Sequence, residues 1–285
     1  MITITGANGR FGRQLAHYLA DQGWNETVSL TTRDPARVAD LADRGFQVLE
    51  ADFSDPMSLR KAFLNTETLF LISATGPARD RIPLHRNAID AAEAVGVRRV
   101  IYTSRVAPYA SSPYPFAAIH DDSERYLRAS KLDWTFLRNN EFTENLDPWL
   151  DRAVDSGVFQ FAAMGPIAFI SRIDAIRASA AVINGQHQEG KAYEFSGPEA
   201  LDRNGIASVL TQACGRLIRA DPGSSVDYGS VLAEMGRPQF LVEMAIGLGD
   251  ASAAGEWSQT SRDPELLTGT PMTSVSDHIL ARFAR

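Results

Sequence analysis

An open, mainly parallel α/β sheet wound on both faces is predicted for this chain, and three observations carry the prediction. Short β-branched runs alternate with amphipathic helical stretches through residues 1–150. The first of those runs breaks at once into glycines at positions 6, 9 and 12 and reopens as a helix. Residues 151–285 lose the alternation and become mainly helical, so a smaller C-terminal substrate lobe is expected there, sharing some sheet strands with the first domain.

The N-terminal turn comes first. Ile2, Thr3, Ile4 and Thr5 suit a buried strand, while Phe11, Leu15 and Leu19 recur every four residues, so a helix begins near Arg10. Glycines between the two let the backbone approach a pyrophosphate, and a helix N-terminus turns unpaired N–H groups toward its charge. The spacing is G-x-x-G-x-x-G rather than the G-x-G-x-x-G of the standard dinucleotide fingerprint. Its place between a strand and a helix points to a nucleotide cradle of Gly6, Asn8, Gly9, Arg10, Phe11 and Gly12 in a Rossmann-type domain.

Composition bounds the rest. With 285 residues and 44% of them apolar, the chain can build one large or two modest cores. It contains no apolar run of about 18 residues, and Met1 leads into the first strand without a basic leader, so neither membrane spanning nor secretion is expected. Cys214, the single cysteine, sits among Val209, Leu210, Ala213 and Leu217, where packing explains it better than catalysis. A cytoplasmic protein is expected. The formal charge of −7, with a pI near 5.3, argues against a nucleic-acid partner. Arg98-Arg99 reads as a solvated turn before a strand.

In chain order, residues 26–30 supply a second strand that runs into Thr31-Thr32-Arg33-Asp34-Pro35. An acidic residue about 20 positions beyond the glycines holds the ribose hydroxyls in NAD-selective sites, whereas an arginine there accommodates a 2′-phosphate. Arg33 occupies that place. Asp34 precedes Pro35 at a helix start, where an Asp N-cap and a first-turn Pro are favoured for backbone reasons, so NADP(H) is expected over NAD(H). Arg37 either reaches the same phosphate or is an exposed helix arginine.

A helix over residues 36–44 gives way at Gly45 to a strand over 46–50 that ends in Ala51-Asp52-Phe53. Asp52 and Phe53 suit the flanks of an adenine, and Asp52 reads equally as a turn former. A short helix (56–64), an apolar strand (68–72), the small residues Ser73-Ala74-Thr75-Gly76, a long helix (80–95) and a strand (100–103) continue the alternation. Parallel pairing with right-handed crossovers follows, and Ser73 and Ala74 let a dinucleotide lie against the strand end.

After that strand, residues 104–116 are rich in Pro, Ser and aromatics, so they form either a cover over a ligand or a surface crossover. Helix returns over 117–130, and a strand over 134–137 ends in the polar cluster of residues 138–145. Beyond it are one or two short strands around Gly165-Pro166 in 159–170, a helix over 172–183, and a strand over 193–196. Helices at 203–217, 226–236, 238–249 and 273–282 close the chain.

These motifs together resemble the NmrA-like branch of the atypical short-chain dehydrogenase/reductases over nearly the whole chain. The resemblance rests on residues 5–12, on Arg33-Asp34-Pro35, on Leu69-Phe70-Leu71-Ile72-Ser73, on His85-Arg86-Asn87 with the following residues to Ala92, on Tyr102-Thr103-Ser104 and on Leu137-Arg138-Asn139. It extends into Gly190-Lys191-Ala192-Tyr193-Glu194 and Leu266-Leu267-Thr268-Gly269-Thr270-Pro271. Within the branch the chain is similar to the bacterial type 2 NAD(P)H:quinone oxidoreductases and triphenylmethane reductase.

One departure constrains the chemistry. The wider superfamily places a Tyr four residues before a Lys, with a Ser at the preceding strand end, so that the phenol can protonate an alkoxide. By register Ser104 matches the Ser, but Phe116 falls at the Tyr position and His120 at the Lys position. Reduction of a quinone or a cationic dye gives a delocalised or neutralised product and needs no strong acid. The resemblance therefore implies an NADPH-dependent reductase of quinone-like electrophiles that works by positioning, with water or His120 as proton source. His120 reads equally as a helix-start residue beside Asp121 and Asp122.

Ser73, Ala74, Thr103 and Ser104 are expected on the nicotinamide side, and Tyr109, Tyr114, Phe116, Asn139 and Phe142 around the acceptor; no metal is expected. The rival readings are a non-catalytic NADP(H)-sensing regulator and a tailoring reductase of aromatic polyketide-type metabolites. A monomer or homodimer is expected.

Overall fold

The computed structural model describes residues 1–185 and 188–284. By contact the chain divides into two units, one of Met1–Ser104, Ile119–Arg138 and Ile176–Tyr193, the other of Arg105–Ala118, Asn139–Ala175 and Glu194–Arg285. The division is interleaved, where the sequence reading expects one boundary at residue 150. Two segments cause it: residues 105–118 after strand β5 (Arg99–Arg105) belong to the second unit, and a late segment with most of helix α7 (Arg172–Asn184) and strand β8 (Lys191–Phe195) supplies the last strand of the sheet.

The first unit is built on strands β1 (Ile2–Ile4), β2 (Val28–Thr32), β3 (Gln47–Glu50), β4 (Thr68–Leu71), β5 (Arg99–Arg105) and β6 (Asp133–Asn139), with β8 at the edge. Their order is β3-β2-β1-β4-β5-β6-β8. Pairing is parallel, with Ile4 opposite both Leu30 and Phe70 and Phe70 opposite Ile101. Every residue of β2 and β4 is buried, the pattern of strands covered on both faces. Order reverses at β1, which opens a crevice beyond the carboxyl ends of β1 and β4.

Helices α1 (Arg10–Asp21), α3 (Pro56–Ala62), α4 (Ala78–Ala94) and α5 (Ala117–Ala129) join the strands. Leu15, Ala16 and Leu19 form the buried stripe of α1, as their spacing requires. Residues 36–44, expected as one helix, are a 3₁₀ turn (Pro35–Val38) followed by the short α2 (Ala39–Asp43). Asp34 caps the turn through the Ala36 amide at 3.1 Å, and Val38, with φ −130°, breaks the ladder before α2.

The second unit holds α6 (Asp147–Ser156), α8 (Arg203–Cys214), α9 (Ser225–Glu234), α10 (Gln239–Ala253), α11 (Asp263–Thr268) and α12 (Val275–Phe283). A small parallel pair joins β7 (Val158–Phe159) to β9 (Arg219–Ala220). Between residues 160 and 170 there is no strand, only isolated bridges at Ile167 and Ile170. Helices α6 and α11 escape the sequence reading because each opens on a charged, proline-bearing stretch that looks like loop.

A stack inside the second unit corrects two expected pocket residues. Trp257 is 1% exposed, and the Arg105 guanidinium lies 4.1 Å from its ring centre and 4.7 Å from that of Tyr114. Tyr114 meets Trp257 edge-on at 5.0 Å, Phe116 packs 5.5 Å from Tyr114, and Arg105 is paired with Glu141 at 2.8 Å. Tyr114 and Phe116 are thus core residues, held by apolar burial and a cation over two rings. Replacing Trp257 with Ala is expected to lower stability by about 3–5 kcal/mol in urea unfolding, because it empties the centre of this stack.

Candidate active site

Beyond β1, the chain turns at Gly6, whose φ of +69° favours glycine, and the Gly9 amide closes the turn on the Gly6 carbonyl at 2.9 Å. Helix α1 follows with Gly9 as its N-cap and no side-chain cap bond, whereas α3 and α8 are capped by Asp55 and Asp202. Beside this turn lies a cleft of about 530 Å³, lined here by Gly6, Asn8 and Gly9. A helix N-terminus without a side-chain cap, after a turn with little side-chain bulk, fits a diphosphate.

Gly12 has a different task from the one expected of it. A Cβ there would stand 2.4 Å from the Gly6 carbonyl oxygen, so Gly12 lets α1 press against the turn from behind. Arg10, Phe11 and Gly12 all lie outside the cleft lining.

The β2 end contributes Arg33, exposed, with Arg37 close behind on the 3₁₀ turn, and both line the cleft. Asp52 and Phe53 line it from the end of β3. The Asp52 carboxylate accepts from the Ser54 amide and hydroxyl, each at 2.8 Å. Those bonds, with a smaller contribution from the Arg33 charge, hold it below the usual carboxylate range. The turn-forming reading of Asp52 is therefore realised, and the residue faces the cleft as well.

Ser73 and Ala74 line the cleft from the end of β4. Thr103 stands behind them, its hydroxyl accepting the Ser73 amide at 2.9 Å. Ser104, the candidate catalytic residue that matches the superfamily serine by register and is expected on the nicotinamide side, is engaged elsewhere. Its hydroxyl donates to Glu124 at 2.7 Å, and Glu124, 1% exposed, also accepts from Arg138 at 2.8 and 2.9 Å and from Arg128 at 3.0 Å. A hydroxyl whose proton serves a buried carboxylate is an anchor for β5.

Two residues given no site role from the sequence join this wall. His85 of α4 is fully buried, and its Nε2 accepts the Ala74 amide at 2.8 Å. Its Nδ1 lies 2.8 Å from Ser123 Oγ and 3.3 Å from the Tyr102 hydroxyl, which lies 2.9 Å from Nδ1 of His120. Burial, with the Arg81 charge nearby, pushes His85 down to about 3, so it is neutral; burial raises the Tyr102 phenol. Periodicity alone reads His85 and Tyr102 as core, and only their polar atoms hint otherwise. Among the other expected residues, Tyr109 is 57% exposed, Asn139 is buried, and Phe142 is half-buried beneath the Arg172 guanidinium at 5.3 Å.

The family model described as NAD(P)H-binding matches residues 6–159, more than half of the chain and all of the cleft. The chain belongs to the NAD(P)H-binding family. Its similarity to quinone oxidoreductase 2 of Escherichia coli (strain K12) is 33% identity over 284 residues, 99% of either chain. The NADPH complex of the E. coli NADPH-dependent quinone oxidoreductase superposes with a TM-score of 0.93, 32% identity and coverage of 99% of this chain and 100% of that one. Citrobacter sp. triphenylmethane reductase, complexed with NADP(H), gives a TM-score of 0.91 at 26% identity, with 99% of each chain covered. The NmrA-like resemblance of the sequence and its Rossmann-type fold are both borne out by this membership.

His85 links the NAD(P)H-binding family's cleft to stability. Its folded-state value near 3 lies below the ordinary histidine value of 6.5, so between them the unfolded chain holds a proton that the folded chain lacks. Stability is therefore expected to fall as pH drops from 6.5 toward 3, by up to about 1.4 kcal/mol per pH unit from this residue. Urea unfolding of the wild type and His85→Gln across that range checks it: the substitution should flatten the slope.

Proposed function

We propose that this protein is an NADPH-dependent reductase of quinones or similarly conjugated aromatic electrophiles. The observation that carries the reading is the end-to-end likeness to an E. coli quinone oxidoreductase whose structure was solved with NADPH. The cleft supports it. The Asn8 amide and the N-terminus of α1 would bind the diphosphate, Arg33 with Arg37 the 2′-phosphate, and Asp52 and Phe53 the adenine end. Ser73 and Ala74 would border the nicotinamide. NADPH bound there supplies a hydride.

The residues' own contributions are binding, orientation and hydrogen bonding. With Phe116 in the core and Ser104 turned to Glu124, no phenol–lysine acid is assembled, which suits an acceptor whose reduced form is a weakly basic phenolate. His120 is assigned as a hydrogen-bond donor toward that oxygen, and Tyr109, Asn139 and Phe142 as acceptor contacts. The substrate is a small molecule, and selectivity for NADPH rests on Arg33.

One experiment tests both parts. Mixing the protein with NADPH and a simple benzoquinone or naphthoquinone should oxidise the cofactor well above the uncatalysed rate; tight binding without turnover on several acceptors would replace this reading with that of a sensor. Arg33→Ala should weaken NADPH binding, followed by nicotinamide fluorescence, by about 1–3 kcal/mol and leave NADH nearly unchanged. An equal loss for both cofactors would refute the assigned selectivity.

A further inference from the structure

The arginine end of the cleft is built on two supports of different strength. Arg33 follows β2 directly, and the Asp34 amide behind it donates to Thr32 Oγ1 at 3.3 Å. Arg37 has only the four-residue 3₁₀ turn beneath it. Both side chains are exposed and line the cleft, and neither makes a hydrogen bond or ion pair among the described residues. Val38, fully buried, ties the turn to the core, while its φ of −130° interrupts the helical ladder before α2. A single buried side chain fixes where the turn sits and leaves its tilt to other contacts. Arg13 of α1 supplies one. Its Nη1 donates to the two Asp40 oxygens at 2.7 and 2.6 Å, and its Nη2 donates to the Arg37 carbonyl at 2.5 Å. One rigid guanidinium fork thus holds the 3₁₀ turn by its backbone and α2 by a carboxylate. His17, one turn along α1, stands 3.5 Å from the same carboxylate. Arg13 lies outside the cleft lining and its charge is matched by Asp40, so it acts on the cleft through Arg37 and not as a cation of its own. Exposed ion pairs of this kind add little to stability; this one supplies orientation.

We infer that Arg13 and Asp40 are positioning residues for cofactor choice: they hold the 3₁₀ turn so that Arg37 stands beside Arg33 at the 2′-phosphate, and so widen the preference for NADPH over NADH. Without the fork, Arg37 would have to be ordered at the moment of binding, which lowers affinity only for the cofactor that carries that phosphate. The inference rests on the proposed reading of the cleft as an NADPH site, and adds to Arg33 a second determinant that acts from outside the lining.

The test is NADPH and NADH binding to the whole chain carrying Arg13→Ala or Asp40→Ala, followed by nicotinamide fluorescence at fixed pH and ionic strength, with thermal unfolding to show that each variant is folded. Both substitutions should raise Kd for NADPH about three- to tenfold, the range for ordering one long side chain, and leave Kd for NADH within about twofold. A field effect alone has a different sign pattern: removing Asp40 takes away a negative charge and would tighten NADPH, whereas removing Arg13 would loosen it. In an Arg37→Ala background, where there is no side chain to aim, either second substitution should change Kd for NADPH less than about twofold. Unchanged Kd for NADPH, opposite signs for the two variants, an equal loss for both cofactors, or a loss that persists undiminished in the Arg37→Ala background overturns the inference, while the NADPH reading stands. A wild type that binds NADH as tightly as NADPH overturns that reading and this inference together.

Discussion

The cleft depends on how closely one helix can approach one carbonyl. Gly12 sits on the first turn of α1 with no room for a Cβ, since its nearest neighbour would be the Gly6 oxygen at 2.4 Å. That approach sets the start of α1 directly behind the Gly6–Gly9 turn. Strand order does the rest, because the reversal at β1 leaves the ends of β2, β3 and β4 around that turn. Arg33, Asp52 and Ser73 are then brought together from three strand ends by topology and not by proximity in sequence.

The loss of the phenol–lysine pair has a structural counterpart in the same region. The loop after β5 carries its aromatics into a stack around Trp257, and the serine at the strand end serves Glu124. Two arginines close that carboxylate from solvent, so a charge that would be costly alone is compensated on three sides. Strength of this kind fixes the backbone of β5, whose Thr103 accepts the Ser73 amide while Tyr102, on the opposite face, meets His85.

Much of this was legible in the sequence. The glycine turn, Arg33 after the second strand, the Asp34 cap and the small residues after the fourth strand are local patterns, and each lies where its spacing puts it. Tyr114 and Phe116 were misread because a loop rich in aromatics resembles a ligand cover, and only tertiary packing shows which rings face inward. His85 and Tyr102 were hidden for the converse reason: their helical and strand periodicity marks them as core, which they are, and the polar line they form joins α4, β5 and α5 across long sequence separations. No single-sequence signal reports such pairings.

The interleaving of the two units bears on how the chain acquires its structure. The sheet receives its last strand from residues 191–195, after the chain has already laid down α6 and β7 of the other unit. Neither unit is a continuous stretch, so neither can be cut out as an autonomous fragment. A ribosome must release about two-thirds of the polypeptide before the edge of the sheet can be covered, and until then β6 offers an unpaired edge to any neighbour.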